Sequence, residues 1–269
     1  FNTGITTVAT YLLQAILGFG ITITAVLIAS DSGLIPAAGV LLAFGFGQGT
    51  GQALNFGKIY EAEHGFAGGA TFGLTVAAIG FLTATIVGVA YLNYLKRKNR
   101  LAQLFVHKTG QTIVEDEADN ESMDTFTIQV ALILIVYVIA YGIINLLSLF
   151  LPGLKHTFFG FNFLVAVLVA IPVKAVVKLI QKRVGGERKI ISNYLMNRIG
   201  GFAFDLMIVA GIAAIRIDMI TNYWLVLLLM FIFGALLTFA YLHIVCRKLF
   251  AEYKYEQFMA MFGMLTGTA

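Results

Sequence analysis

The chain has 269 residues, of which 59% are hydrophobic and only 12% charged, with a formal net charge of +4. Long uncharged apolar runs at this composition belong to a polytopic helical membrane protein and exclude an ordinary soluble domain. The lysines and arginines gather at the ends of those runs, so the positive balance reflects the positive-inside bias and no nucleic-acid partner is implied.

A single cysteine, Cys246, excludes an intrachain disulfide within this stretch and a thiolate metal cluster. No cleavable signal peptide is visible. The sequence begins at Phe1 and stops at Ala269 inside an apolar segment, which leads to the expectation of a partial chain.

The first uncharged run, Gly4 to Ser30, is long enough to span and ends in the polar turn Ser30-Asp31-Ser32-Gly33. Leu34 to Phe46 is apolar but too short to cross. It leads into Gly45-Phe46-Gly47-Gln48-Gly49-Thr50-Gly51. Each of these glycines costs a helix about 1 kcal/mol relative to alanine, so the stretch is expected to unwind. Irregular backbone at membrane depth is tolerated only where protein buries it or it lines a watery cavity, which is where transporters place substrate and ion sites. A second short arm runs from about Gly51 to the polar segment Lys58 to His64, and residues 33–64 are predicted as a re-entrant hairpin.

Phe66 to Tyr94 is uncharged, and Tyr91 and Tyr94 are placed like an interfacial belt ahead of the basic, cytoplasmic end Lys96-Arg97-Lys98-Asn99-Arg100. Residues 101–124 turn from basic to acidic, with Glu115, Asp116, Glu117, Asp119, Glu121 and Asp124, and are predicted as a cytoplasmic linker loop. Thr125 to Phe150 spans back outwards. Pro152-Gly153 turns the chain, and Phe158 to about Ile180 returns, with Lys174 and Lys178 snorkelling to the cytoplasmic headgroups. Lys182, Arg183, Arg188 and Lys189 mark a second cytoplasmic loop. Tyr194 to Ile215 spans outwards, interrupted by Gly200-Gly201 and carrying one acid, Asp205. After an external turn from Arg216 to Asn222, Tyr223-Trp224 opens the next span at the outer interface and Arg247-Lys248 closes it inside.

The closing piece, Tyr253 to Ala269, echoes the first hairpin: Phe46-Gly47, Thr50-Gly51 and Ala53 find counterparts in Phe262-Gly263, Thr266-Gly267 and Ala269. The charge pattern puts the mouth of the first hairpin outside and that of the second inside. The predicted fold is therefore an all-α membrane bundle with inverted repeats and two opposed re-entrant hairpins, whose tips meet near the midplane. Residues 1–100 form the end of one repeat, 101–124 the linker, and 125–269 the start of the other, ending inside the second hairpin.

Three segments carry a family resemblance: Gly47-Gln48-Gly49-Thr50-Gly51-Gln52-Ala53, then Tyr60 to Gly65, then Ala70-Thr71-Phe72-Gly73-Leu74. In their order, and more loosely at Asn193 to Asp218 and Tyr255 to Ala269, the chain resembles the bacterial glutamate:sodium symporter family. The resemblance implies a multi-pass symporter of the bacterial cytoplasmic (inner) membrane. It also implies two inverted five-helix halves, sodium-coupled uptake of glutamate, and elevator-type movement in a homodimer. No organic cofactor is expected, and no metal beyond sodium.

The residues themselves support site chemistry of this kind. A second arm starting at the tip points its free N–H groups and positive dipole end into the cavity, where they suit a carboxylate. The predicted substrate contacts are Gln48, Gly49, Thr50 and Gly51, with Asp205 and Thr266. The last carbonyls of the first arm, at Gly47, with Thr50, Asn55 and Thr268, are predicted oxygen ligands for sodium. Asp205 is read either as an ion, proton or substrate-amine ligand or as the partner of Arg198 on the same helix. The glycines also fit plain small-residue helix packing. No enzyme is expected, because the sequence has neither a His/Glu/His metal set nor a nucleophile elbow. Another organic anion of dicarboxylate or citrate type is the alternative cargo, and a non-transporting membrane subunit the further alternative.

Overall fold

The computed structural model describes residues 1–29, 33–101, 123–184, 190–250 and 253–267. The turn containing Asp31, the linker from 102 to 122 with the acidic residues Glu115 to Glu121, Arg188, Lys189 and Thr268 lie outside the described residues, whereas Asp124, expected in the linker, is helical. Among the described residues the regular structure is entirely helical, and six helices are long and apolar enough to cross a membrane. The protein is a multi-pass helical membrane protein. It forms two compact units, one of Phe1–Thr109 with Met207–Ala269 and one of Gly110–Leu206.

In the first unit, α1 (Asn2–Ile28) buries one row of residues, Thr6, Thr10, Gln14, Gly18 and Thr22, and leaves its apolar faces outward. A spacing of four puts them on one side of the helix. The threonines satisfy their hydroxyls locally, Thr6 donating to Asn2 O at 2.8 Å and Thr10 to Thr6 O at 2.7 Å, which makes a polar row tolerable inside an apolar span. Thr22 also donates to Pro36 O at 2.6 Å, tying α1 to the next element.

Pro36 opens a 3₁₀ turn (Pro36–Val40) that continues as α2 (Leu41–Gln48). The helix runs through Gly45 and Gly47 and breaks only at Gly49, with φ +81° and ψ −169°. The unwinding expected over the whole glycine stretch is thus confined to one residue. Packing overrides propensity at the other two positions: a Cβ on Gly45 would lie 2.8 Å from the Ala77 amide nitrogen, and one on Gly47 would strike the Tyr11 ring.

After the break, α3 (Thr50–His64) runs to Gly65, whose left-handed backbone (φ +65°) stops it, and the Phe66 N–H reaches back to Tyr60 O at 3.0 Å. The chain doubles back at Gly49. The Phe44 and Phe56 rings stack across the two arms at 3.9 Å and 8°, and the far ends of both arms, at Leu34 and Phe66, share one core cluster with Tyr223. With five 3₁₀ and eight α residues in one arm and fifteen in the other, each is roughly 22 Å long, short of a ~30 Å hydrocarbon core.

Next comes a continuous rod, Gly69–Arg97, made of α4 (Gly69–Thr83), a π turn (Ala84–Gly88) and α5 (Val89–Arg97). Glu61 caps its start by accepting the Ala70 N–H at 3.2 Å. Close backbone approaches of Gly57 to Gly69 and of Gly73 to Ala53 let α3 lie against α4.

The second unit contains α6 (Met123–Phe150), a 3₁₀ turn (Pro152–Leu154), α7 (Lys155–Gly160), α8 (Asn162–Val184) and the start of α9 (Asn193–Ala213). The return span begins at Asn162 rather than Phe158 because short α7 intervenes. Lys174 and Lys178 are exposed. Helix α9 runs unbroken through Gly200-Gly201, with nothing within 4 Å of a Cβ at either. The fully buried amide of Gln129 donates to Ile190 O at 2.8 Å and Thr125 O at 3.2 Å and accepts the Ser192 N–H at 3.3 Å, stapling the approach to α9 onto α6.

The first unit is completed by the end of α9, α10 (Ile217–Ile220), α11 (Trp224–Leu249) and α12 (Lys254–Met264). Of the two aromatics at the start of α11, Trp224 faces outward while Tyr223 packs inward against Phe66 and Phe72. At the opposite end Tyr94 is exposed. Tyr91, half-buried, packs edge-on to Phe239 and Phe258 and is hydrogen-bonded to His243 Nδ1 at 3.3 Å. Helix α12 folds back along α11, burying Phe258, Met261, Phe262 and Leu265 against Leu242 and Cys246.

Candidate functional site

The break at Gly49 works locally because that position accepts a backbone conformation closed to side-chain-bearing residues. It starts α3 without a side-chain cap. The first intrahelical bond there is from Ala53 N–H to Gly49 O at 3.2 Å, so the N–H groups of Thr50, Gly51 and Gln52 precede it and have no helical acceptor. The Oγ1 of Thr50 is buried without a hydrogen-bond partner, as is the Oε1 of Gln52. A helix N-terminus with free donors and positive dipole character therefore opens beside an unpartnered hydroxyl.

Two helix C-termini arrive at the same place. One is that of α2, ending at Gln48. The other is that of α12, whose following residues reach Gly267: the Gly267 carbonyl oxygen lies 3.7 Å from where a Cβ on Gly49 would be. Thr266 O comes within 2.8 Å of the Cβ position of Gly80, so only glycine at 80 permits this approach. The two segments come from opposite ends of α11. The arms of the first hairpin start and finish near Tyr223, at the head of α11, and α12 follows its tail. They converge at mid-length of the long helices, beside Gln14 of α1, Ala77 to Phe81 of α4 and Thr238 of α11.

Helix α1 fastens this junction. The Tyr11 hydroxyl donates to Gly47 O at 3.0 Å, and Gln14 Nε2 donates to Thr238 Oγ1 at 2.9 Å and to Leu265 O at 3.0 Å. The other flank is covered by the end of α9. Met207 Sδ is 2.9 Å from a Cβ position on Gly51, and Gly211 lies against the methyl of Thr50.

Of the expected site residues, the structure brings together Gly47, Gln48, Gly49, Thr50, Gly51 and Thr266. Gln48 is exposed, Gly47, Thr50 and Thr266 are buried, and Gly49 and Gly51 are half-buried. Asn55, also half-buried, lies one turn beyond Gly51 on the same side of α3. Two of these groups are already engaged. The Gly47 carbonyl accepts from Tyr11, and the Thr266 hydroxyl donates back to Phe262 O in the last turn of α12. Asp205 belongs to the second unit and is exposed there, and Arg198 donates to the Tyr194 hydroxyl at 3.0 Å. Thr268 lies outside the described residues.

Sequence reasoning missed Tyr11, Gln14 and Thr238. The signal was present, as a four-residue period of polar or small residues, Thr6, Thr10, Gln14, Gly18 and Thr22, inside a run read only as uncharged. Every described side chain at the junction is neutral, and no group of three His, Cys, Asp or Glu residues able to hold a metal ion occurs among the described residues. What the junction offers chemically is a set of backbone donors for an anion and a set of neutral oxygens for a cation. No family model, curated protein or solved structure matches the chain.

Proposed function

We propose that this protein is a sodium-coupled secondary symporter that imports glutamate or a related carboxylate across the bacterial cytoplasmic membrane. The observation that carries the reading is the junction at Gly49: one helix N-terminus and two helix C-termini meet at mid-length of long apolar helices, reached from opposite ends of α11. Broken helices meeting at membrane depth are how secondary transporters build sites, with N-termini towards the anionic solute and C-terminal carbonyls towards the coupling cation. On this reading the hairpin closing at Gly49 and the segment led by α12 are re-entrant from opposite faces. The N–H groups of Thr50, Gly51 and Gln52 then hold the solute carboxylate. Bound anion and cation partly neutralise one another, so each raises the affinity for the other by the same factor. The inverted repeats are supported by the echo of the first hairpin in Tyr253 to Ala269 and by the charge pattern, and the elevator movement and the homodimer by the family resemblance.

A second reading is favoured by one observation, the neutrality of the described tip residues. The ammonium of glutamate calls for an anionic partner, whereas a dicarboxylate or citrate-type acid does not. Uptake of labelled glutamate by vesicles containing the full-length protein, with a sodium gradient and with potassium replacing sodium, separates the two. Sodium-dependent glutamate uptake upholds the first reading; uptake of an amine-free dicarboxylate without glutamate competition moves the second into its place. The variants Thr50→Ala and Asp205→Asn address the assigned groups, and unaltered solute and sodium dependence in both overturns the assignment.

A further inference from the structure

Two buried glutamines allow a direct comparison. Gln129 uses both ends of its amide, the nitrogen on Ile190 O and the oxygen on Ser192 N–H, as a structural staple does. Gln14 is also fully buried, yet it uses only one end. Its nitrogen donates to Thr238 Oγ1 and Leu265 O, and its Oε1 has no hydrogen-bond partner. The amide cannot be turned around to relieve this, because Leu265 O only accepts and must face the nitrogen.

A buried carbonyl-type oxygen left without a donor is destabilising, so in the working protein something electropositive faces it. Oε1 points towards Gly47, 3.3 Å from where a Cβ there would be, on the side where α2 and α12 end. Those ends carry the negative poles of their helix dipoles, and a carbonyl that already accepts one hydrogen bond, as at Gly47 and Leu265, keeps a second lone pair for a cation. A neutral oxygen between two such ends, with no described carboxylate beside it, matches the preference of a small monovalent cation for several uncharged oxygens. A divalent metal would call for carboxylates.

We infer that Gln14 Oε1 is a ligand of the coupling alkali cation, making α1 a third wall of the cation site alongside the ends of α2 and α12. The inference rests on the symporter reading and adds a residue outside both hairpins to it. It also accounts for the position of Gln14: the nitrogen that grips Leu265 O and the oxygen that faces the cation belong to one amide. Cation binding is thereby coupled to how the end of α12 is seated.

The test is thermal unfolding of the full-length protein in detergent against increasing sodium chloride, with choline chloride holding ionic strength constant and no organic solute present. Wild type is expected to be stabilised by sodium with a saturable dependence. Gln14→Met removes the oxygen and is expected to weaken the apparent sodium affinity about tenfold or more. Gln14→Glu keeps an oxygen at that place and is expected to retain sodium stabilisation. Thr238→Val removes one of the two acceptors on the nitrogen side, leaving Leu265 O and the Gln14 oxygen in place, and is expected to change the affinity less than about twofold. Loss of sodium dependence in Gln14→Glu, or equal weakening by Thr238→Val and Gln14→Met, makes Gln14 a staple like Gln129 and overturns the inference while cation coupling stands. A wild-type protein that no alkali cation stabilises overturns coupling and inference together.

Discussion

Gly45 and Gly49 sit four residues apart and are glycine for unrelated reasons. At Gly45 the constraint is space: the α4 backbone occupies the place of a side chain, with Ala77 N at 2.8 Å and Val76 C at 3.0 Å. Gly45→Ala is expected to lower stability by about 1–3 kcal/mol through overpacking, seen as a lower unfolding midpoint in detergent. At Gly49 the constraint is backbone conformation, since φ +81° with ψ −169° is glycine territory. Gly49→Ala is expected to destabilise by roughly 1–3 kcal/mol as well, and in addition to weaken solute binding, because the first N–H groups of α3 change direction. Gly4→Ala and Gly142→Ala, where nothing lies within 4 Å, serve as controls and are expected to be neutral or slightly stabilising. At Thr50 the sharper exchange is Thr50→Val, which keeps the shape against Gly211 and deletes the unpartnered hydroxyl. Solute affinity measured by competition is expected to fall about tenfold while the unfolding midpoint is unchanged or higher, because a buried unsatisfied group has been removed.

At the scale of elements, helix ends decide more than helix interiors. The start of α4 is held by Glu61, a residue that reads in the sequence as part of a solvated mouth. The approach to α9 is held by Gln129 across the span of α6. Gln129→Leu removes the donor to Ile190 O and the acceptor of the Ser192 N–H, both at half-buried positions, and is expected to cost about 1–3 kcal/mol in all. Faster hydrogen exchange at Ser192 to Met196, with little change in Thr50 to Ala53, is the expected outcome. The hairpin itself is locked by the Phe44–Phe56 stack and the shared anchor at Tyr223, so its arms are a packed unit and not a loose excursion.

For the whole molecule, the rod Gly69–Arg97 has 29 residues, about 43 Å at 1.5 Å per residue, which exceeds a ~30 Å hydrocarbon core. Its flanks, Glu63 and Lys98, are both exposed, and the proposed topology puts Glu63 outside and Lys98 inside. Cys246 is fully buried, so a membrane-impermeant maleimide is expected to leave the folded wild type unlabelled. In a Cys246→Ser background, Glu63→Cys is expected to label from outside intact cells and Lys98→Cys only after the membrane is opened. Labelling of both from one side would contradict the arrangement of the rod as a span.

The membrane class, the spans and the site of the chain reversal were legible in the amino-acid order. Hydropathy and basic flanks are properties of segments, and a glycine-rich tip between two short apolar arms is a local pattern. The extent of the break was not legible: Gly45 and Gly47 remain helical because Ala77, Val76 and Tyr11 fill the space that would otherwise favour unwinding, and those contacts are distant in sequence. For the same reason the packing of Tyr91 on Phe239 and of Tyr223 on Phe66 was not legible. Only the tertiary structure brought Gln14, Thr238 and Leu265 together with the tip, since a hydrogen bond between residues 14 and 265 leaves no trace in either neighbourhood. Segments set their own helicity and polarity, but which oxygens face one another depends on how the helices pack.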